Sequence, residues 1–279
     1  LFPIASKKAF RGFKNEQKRD SLKESLQAAI ELELSTIPPY LTSALCIKPN
    51  SNRSSFQIIH SVYMEEMLHM ILANNVLKAI GGSVELKEKN VPEYPRELMF
   101  NCGPNDTREV NIELEGFTEN AIDTFMQIEL PEDEENIKNR RKELIQLMKQ
   151  PQRLKGVTSE ITQKYLKELQ DNNVEDESDI PAGTIGEFYE DVKQHLITYC
   201  DEIGEENVFI GDPNDQITQD FYWSSGGKPI VVKNLVNACD AIDLIIEQGE
   251  GSKGHVGDDD HSLFNDRDEI AHYYRFEEI

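Results

Sequence analysis

The sequence has no apolar run approaching the ~18 residues of a helical membrane span, so a transmembrane helix is excluded. It is also short of positive charge. Against 52 acidic residues stand 29 basic ones, for a net charge of −23, which excludes nucleic acid and anionic membranes as partners. Cysteine is sparse and scattered: Cys46, Cys102, Cys200 and Cys239 form no Cys-x-x-Cys pair. That rules out a zinc ribbon and leaves disulfide pairing open. The lack of clustered thiolates argues against copper storage and iron–sulfur clusters. An initiator Met is missing too, since the chain opens at Leu1. The expectation is that an upstream segment has been removed. Together with N-glycosylation patterns at Asn52-Arg53-Ser54 and Asn105-Asp106-Thr107, this leans toward export of a soluble chain.

What is present is enough apolar residue for a substantial core: 38% hydrophobic over 279 residues, read as one domain over 1–279. Periodicity predicts long helices over about 21–45, 55–80, 184–203 and 231–248, and a C-terminal helix over 262–279. Ser21 and Glu24 are spaced as a capping box for the first. Pro38-Pro39 should kink or interrupt it, and Gly81-Gly82 should stop the second. Residues 83–180 read as an insertion. It holds irregular or strand-like chain to 117, with Val110 to Leu114 alternating as a strand. A helix follows over about 119–129, and then a charge-rich, mobile stretch with one or two surface helices.

Two of the long helices carry polar residues where a core residue belongs. In the second, Ile59, Val62, Ala73, Val76 and Ile80 form one face, and Glu66 and His69 fill its two gaps. Glu and His at i and i+3 project to the same side and can hold one ion together. The first helix repeats the device, with Glu33 central in the stripe Leu22, Leu26, Ala29, Tyr40 and Ala44. A carboxylate on a core face is costly unless something pairs with it. A divalent cation between the helices would satisfy all three residues, and buried salt bridges are the alternative. Carboxylate oxygens with imidazole suit iron and manganese.

Glu-x-x-His recurs at Glu269/His272, and no other internal repeat is visible. Two such pairs, Glu33 on a facing helix and a further helical Glu match the carboxylate-bridged dinuclear site of ferritin-like bundles. Tyr40, seven residues from Glu33, is placed to hydrogen-bond a ligand carboxylate or handle protons. The remaining candidates stay open on the residues alone. His272 reads equally as a ligand or as core packing beside Tyr273, Tyr274 and Phe276. Glu187 lies one residue off the apolar stripe of its helix. Glu250 extends the face of Cys239, Ile242 and Ile246, yet sits between glycines and fits either a ligand or a turn. Glu129 shares a face with Ile122, Phe125 and Met126 and can point inward. Glu269 reads as surface and Glu31 as solvated, and His60, His195, His255 and His261 carry no special reading.

Several stretches resemble one family. They are Ala29 to Leu41 (AIELELSTIPPYL), Glu65 to Met70 (EEMLHM), Ala73 to Gly82, Thr184 to Tyr189, Gln248 to Gly251 and His272 to Ile279. They are similar to the ferritin-like domain of the iminophenylpyruvate dimer synthases of the violacein and rebeccamycin pathways, over nearly the whole chain from Leu22. The resemblance implies an all-α, ferritin-like four-helix bundle with additional helices and long irregular insertions. It also implies a di-metal centre held by Glu33, Glu66, His69, Glu187, Glu250 and His272, with Glu269 in reserve. The reaction of those longer chains, the coupling of two amino-acid-derived imines, is not carried over.

Two functions compete. One is a non-heme oxidoreductase with two Fe, or Mn, per chain, acting on a small organic substrate with O2 or peroxide and using Tyr40 as a catalytic group. The other is a non-catalytic protein that binds an apolar small molecule or pigment, its metal site structural or vestigial. Metal storage would need a cage, and association into a homo-oligomer is left open.

Overall fold

The computed structural model describes residues 7–101, 107–131, 134–149, 166–167, 169–170, 174, 180, 182–222, 226–249 and 270–279. Cys102, the sequon at Asn105, most of the acidic run 171–179, Glu250, His255, His261 and Glu269 lie outside these residues. The described helices are α1 (Lys7–Gly12), α2 (Asn15–Cys46), α3 (Arg53–Ala79), α4 (Glu119–Ile128), α5 (Glu134–Lys149), α6 (Ile185–Ile203), α7 (Glu205–Val208), α8 (Leu235–Gly249) and α9 (His272–Glu277). One antiparallel hairpin, β1 (Arg96–Asn101) with β2 (Thr107–Ile112), pairs Arg96 with Ile112.

Helices α2, α3, α8 and α6 pack each against the next, and α6 closes the ring on α2. The fold is the expected all-α bundle. Every member of the two predicted stripes is buried, Leu22, Leu26, Ala29, Tyr40 and Ala44 on α2 and Ile59, Val62, Ala73 and Val76 on α3, with Ile80 at its cap. Burying each large aliphatic side chain contributes about 1.5–3 kcal/mol. Among the described residues two large apolar clusters form, beside a small third around Leu144, Leu169 and Ile180. One runs through the bundle body, from Leu22 and Leu72 to Leu196 and Ile242. The other lies at the hairpin end, where Tyr40, Val62, Phe100, Phe125 and Phe276 meet.

Several local expectations change. Helix α2 begins at Asn15, not Ser21: the side chain of Gln17 takes the Lys14 N–H at 3.0 Å, and buried Lys18 forms an ion pair with Glu202 of α6. That pairing extends the helix upstream of the Ser21–Glu24 pattern. Nor do Pro38 and Pro39 interrupt α2, which runs unbroken through both. The Ser35 carbonyl, whose helical donor would have been the missing N–H of Pro39, accepts the Tyr94 hydroxyl at 2.7 Å instead. Helix α3 does stop at Gly81 (φ +75°), with Gly82 N–H bonded to Leu77 O and Gly81 N–H to Lys78 O, a Schellman cap. The predicted strand 110–114 is observed as 107–112. At the C-terminal end, Ala271 is still extended and helical geometry starts at His272. Among the described residues, Cys46, Cys200 and Cys239 are free thiols, and no helix is long and apolar enough to cross a membrane.

The connection between α7 and α8 is pinned to α3. Asn75 Nδ2 donates to Ile217 O (2.8 Å) and Ile230 O (2.9 Å), its Oδ1 accepts Ile217 N–H (2.9 Å), and Tyr222 donates to Met64 O (3.0 Å). These bonds bring Gly226 against the middle of α3, where the polar residues of the core are gathered.

Candidate metal centre

Glu33 of α2 and Glu66 and His69 of α3 project into the space between their helices. Glu129, the C-cap of α4, and His272, the first residue of α9, enter from the hairpin end. All five are buried. They form two groups able to hold a metal ion, Glu33–Glu66–His69 and Glu66–Glu129–His272, each with its donor atoms within 4.8 Å of one another. The groups share Glu66. Its Oε1 lies 3.6 Å from His69 Nδ1 and 3.0 Å from His272 Nδ1. The outer carboxylates stand further off, Glu33 Oε2 at 3.7 Å from His69 Nδ1 and Glu129 Oε2 at 3.7 Å from His272 Nδ1.

Each of the five has a partner that fixes its direction. The Tyr189 hydroxyl of α6 donates to Glu33 Oε1, and the Tyr40 hydroxyl donates to Glu129 Oε1 at 2.6 Å. The Thr36 hydroxyl lies 2.5 Å from Glu66 Oε2 and 2.8 Å from the Glu33 carbonyl. His69 Nε2 is 3.0 Å from Gln248 Oε1, and the Gln248 amide nitrogen donates to Gly226 O at 2.5 Å. With the amide so oriented, His69 Nε2 carries the proton and Nδ1 presents its lone pair to Glu33 and Glu66. His272 is set the same way. Its Nε2 is 2.8 Å from Glu65 Oε2, and Arg275 Nη1 holds Glu65 Oε1 at 2.9 Å. His272 Nδ1 is buried without an aligned hydrogen bond although carboxylates surround it. An orphaned imidazole nitrogen facing two carboxylates is the arrangement a bound cation completes.

Electrostatics points the same way. Burial, with the nearby Glu129 charge adding to it, lifts the carboxyls of Glu33 and Glu66 from 4.5 to about 7. Burial lowers His69. Burial would also lower His272, but the carboxylates of Glu129, Glu65 and Glu66 override it and hold the imidazole well above its ordinary value. Burial and Glu129 push the Tyr40 phenol well up, and burial and Glu33 do the same to Tyr189, so both hydroxyls keep their protons.

Of the residues singled out in the sequence, Glu33, Glu66, His69 and His272 come together, with Tyr40 in contact through Glu129. Glu187 does not join them. Its Oε1 is held by Arg141 of α5 at 2.9 Å, its Oε2 accepts Gly183 N–H at 2.6 Å, and its own N–H is capped by Thr184. Gly249 reaches the cluster, since a Cβ there would stand 3.9 Å from Glu129 Oε2, and Glu250 follows outside the described residues. His195 is core, stacked on Phe10 at 4.0 Å. Glu65, Tyr189 and Gln248 were missed. Glu65 completes the period Val62, Glu65, Leu68, Leu72, and Gln248 ends the buried face Ala238, Ala241, Ile245 of α8, so a stricter reading of each stripe would have found both.

Residues 26–279 match the ferritin-like family model. The chain belongs to the ferritin-like family. A crystal structure of a ferritin-like protein from Caulobacter vibrioides superposes on it with a TM-score of 0.56 and 21% identity, over 92% of this chain and 71% of that one, a likeness of fold alone. No curated protein matches this ferritin-like chain. Its buried Glu and His groups could hold metal, and the bundle around them is the family's architecture.

Proposed function

We propose that the cluster is a dinuclear iron or manganese centre, and that the protein is an oxidoreductase acting on a small organic substrate with O2 or peroxide. The observation that carries this reading is the shared carboxylate of Glu66, facing a histidine of each three-donor group. Glu33 and His69 would hold one ion and Glu129 and His272 the other, with the carboxylate of Glu66 available to both. Three carboxylates with two imidazoles suit iron and manganese. Bound ions supply Lewis acidity and redox equivalents. Glu250, next to Gly249, is the sixth candidate. Glu187 stays outside the set because both its oxygens are already engaged.

The chain's own residues orient the donors and keep water out. Tyr40 retains its proton and holds Glu129, so its role is positioning and not proton abstraction. Phe125 and Phe276 pack on the Tyr40 ring with centroids 4.5 and 5.2 Å away. Beyond this layer, between α4 and α9, lies a groove of about 530 Å³ lined by Phe117, Met126 and Phe276 and also by Thr118, Glu119 and Asp123, which offers both apolar and polar contacts to a small substrate. The motif block 29–41 supports the iminophenylpyruvate dimer synthase-like subtype and, with it, amino-acid-derived substrates.

Elemental analysis of chain purified without chelator tests the reading. Close to two Fe or Mn per chain, with oxygen consumption on aromatic or amino-acid-derived compounds, is expected; metal-free chain with full activity refutes it. The same groove admits a second reading, a non-catalytic binder of a small molecule or pigment that presents both apolar and polar groups. A chromophore band that survives chelation would select it, whereas charge-transfer bands bleached by dithionite would select the oxidoreductase.

A further inference from the structure

We propose that Gly226, which touches neither ion position, is the positioning residue for both histidine ligands. The proposal rests on the dinuclear reading for its functional meaning. Its geometry stands on two contacts made by one residue from opposite sides. On one side the Gly226 carbonyl accepts the Gln248 amide at 2.5 Å, which turns Gln248 Oε1 toward His69 Nε2 at 3.0 Å. On the other side the Gly226 Cα packs directly on Glu65, the carboxylate that meets His272 Nε2 at 2.8 Å.

Both contacts require glycine. The backbone is left-handed at φ +86°, and a Cβ would stand 2.2 Å from Glu65 Cγ and 2.7 Å from its Oε1. Relieving that overlap means moving either the loop or Glu65. Moving the loop carries away the carbonyl that orients Gln248. Moving Glu65 breaks a fully buried arrangement in which Arg275, 2% exposed, also donates to Ser61 Oγ at 3.2 Å. Neither histidine can then keep its Nε2–H directed outward and its Nδ1 directed at Glu66. Second partners of this kind are worth about 10–100-fold in metal affinity. Gly226 is distinctive in standing behind both of them.

The test uses the full chain, first without metal. Long-range 1H–15N NMR of His69 and His272 should show two hydrogen-bonded Nε2–H protons. Gly226→Ala should lose both, whereas Glu65→Gln should disturb that of His272 alone. A folded Gly226→Ala variant that keeps both resonances at native positions overturns the proposal. If Gly226→Ala fails to fold, Gln248→Leu decides. It should abolish the His69 resonance and, by releasing the Gly226 carbonyl, shift that of His272; an unmoved His272 resonance overturns the proposal. With Mn(II) added, Gly226→Ala should weaken both positions about 10–100-fold, and native affinity at either position would again refute it. A native chain that binds neither Mn(II) nor Fe(II) would overturn the dinuclear reading, while the metal-free spectra would still decide the role of Gly226.

Discussion

The group Glu33–Glu66–His69 and the group Glu66–Glu129–His272 share a carboxylate, yet the chain assembles them by different routes. The first draws on two long helices joined by a short turn, and its supports, Tyr189 and Gln248, come from the other two helices of the bundle. The second needs the end of α4, reached through a hairpin, and the start of α9 at the far end of the described chain. Its supports, Tyr40 and the Glu65–Arg275 pair, face the hairpin end. Bringing distant segments together costs more chain entropy than pairing neighbouring helices. The bundle therefore presents one position ready-made, and a second whose completion depends on docking of α4 and α9.

The largest effect should come from the shared residue. Glu66→Gln is expected to abolish binding at both positions, bringing metal content by elemental analysis near zero. If one ion per chain remains, the sharing is disproved. Next, His69→Ala and His272→Ala should each reduce two ions to one, but calorimetry should separate them. With metal present, His272→Ala should lower the melting temperature more, because its ion fastens α4 and α9 to the bundle. Equal losses would remove the asymmetry argued above. Removing single supports should act more mildly. Tyr189→Phe and Tyr40→Phe each delete a hydrogen bond to a buried carboxylate, worth about 1.5–3 kcal/mol. Each should weaken mainly its own position in a stepwise metal titration.

A smaller effect concerns pH. The folded values of Glu33 and Glu66, about 7, exceed the ordinary 4.5. The stability they contribute is thus complete below about 4.5 and is lost as pH rises through about 7. His272, also raised, acts in the same direction, whereas His69, lowered by burial, opposes it only at and below its ordinary value of 6.5. Metal-free protein should melt at a lower temperature at pH 8 than at pH 5.5, and Glu33→Gln should flatten the slope. Added Mn(II), which favours ionised carboxylates, should stabilise more at the higher pH. A metal-free melting temperature that climbs over this window would contradict the assignment. The smallest effect on metal is expected at Glu187. Glu187→Gln should leave metal content unchanged and act on stability alone, because its pair with Arg141 is buried and Asp191 still faces that guanidinium.

The same contrast explains what could be read from the sequence. Glu33, Glu66 and His69 were legible because helical period alone puts them on buried stripes. Glu129 was visible as a polar residue on the apolar face of α4, but its partners were not, since no local pattern says where a loop delivers a helix end. His272 was raised by the second Glu-x-x-His pattern and joined the ligand set through family resemblance; in the structure Ala271 is extended and the helix starts one residue later. Glu187 lies one residue off the apolar stripe of its helix and entered the ligand set through the family resemblance. The Arg141 that engages it comes from α5, in a segment whose docking no spacing rule announces. Tyr189 and Gln248 belong to stripes that period locates, but which neighbour each stripe faces depends on the cyclic order of four helices. That order is a property of the assembled bundle.

The Ser35 carbonyl has a consequence for how the molecule opens. Pro39 leaves it without a helical donor, and the Tyr94 hydroxyl, 59 residues away, fills the place at 2.7 Å. A bond that would have been internal to α2 is thereby made between α2 and the chain leading into β1. The centre of the helix that carries Glu33 cannot complete its bonding until that chain is seated. Release of the hairpin end and fraying of α2 around Tyr40 thus become one cooperative event, which amide exchange would report as a common opening free energy for both.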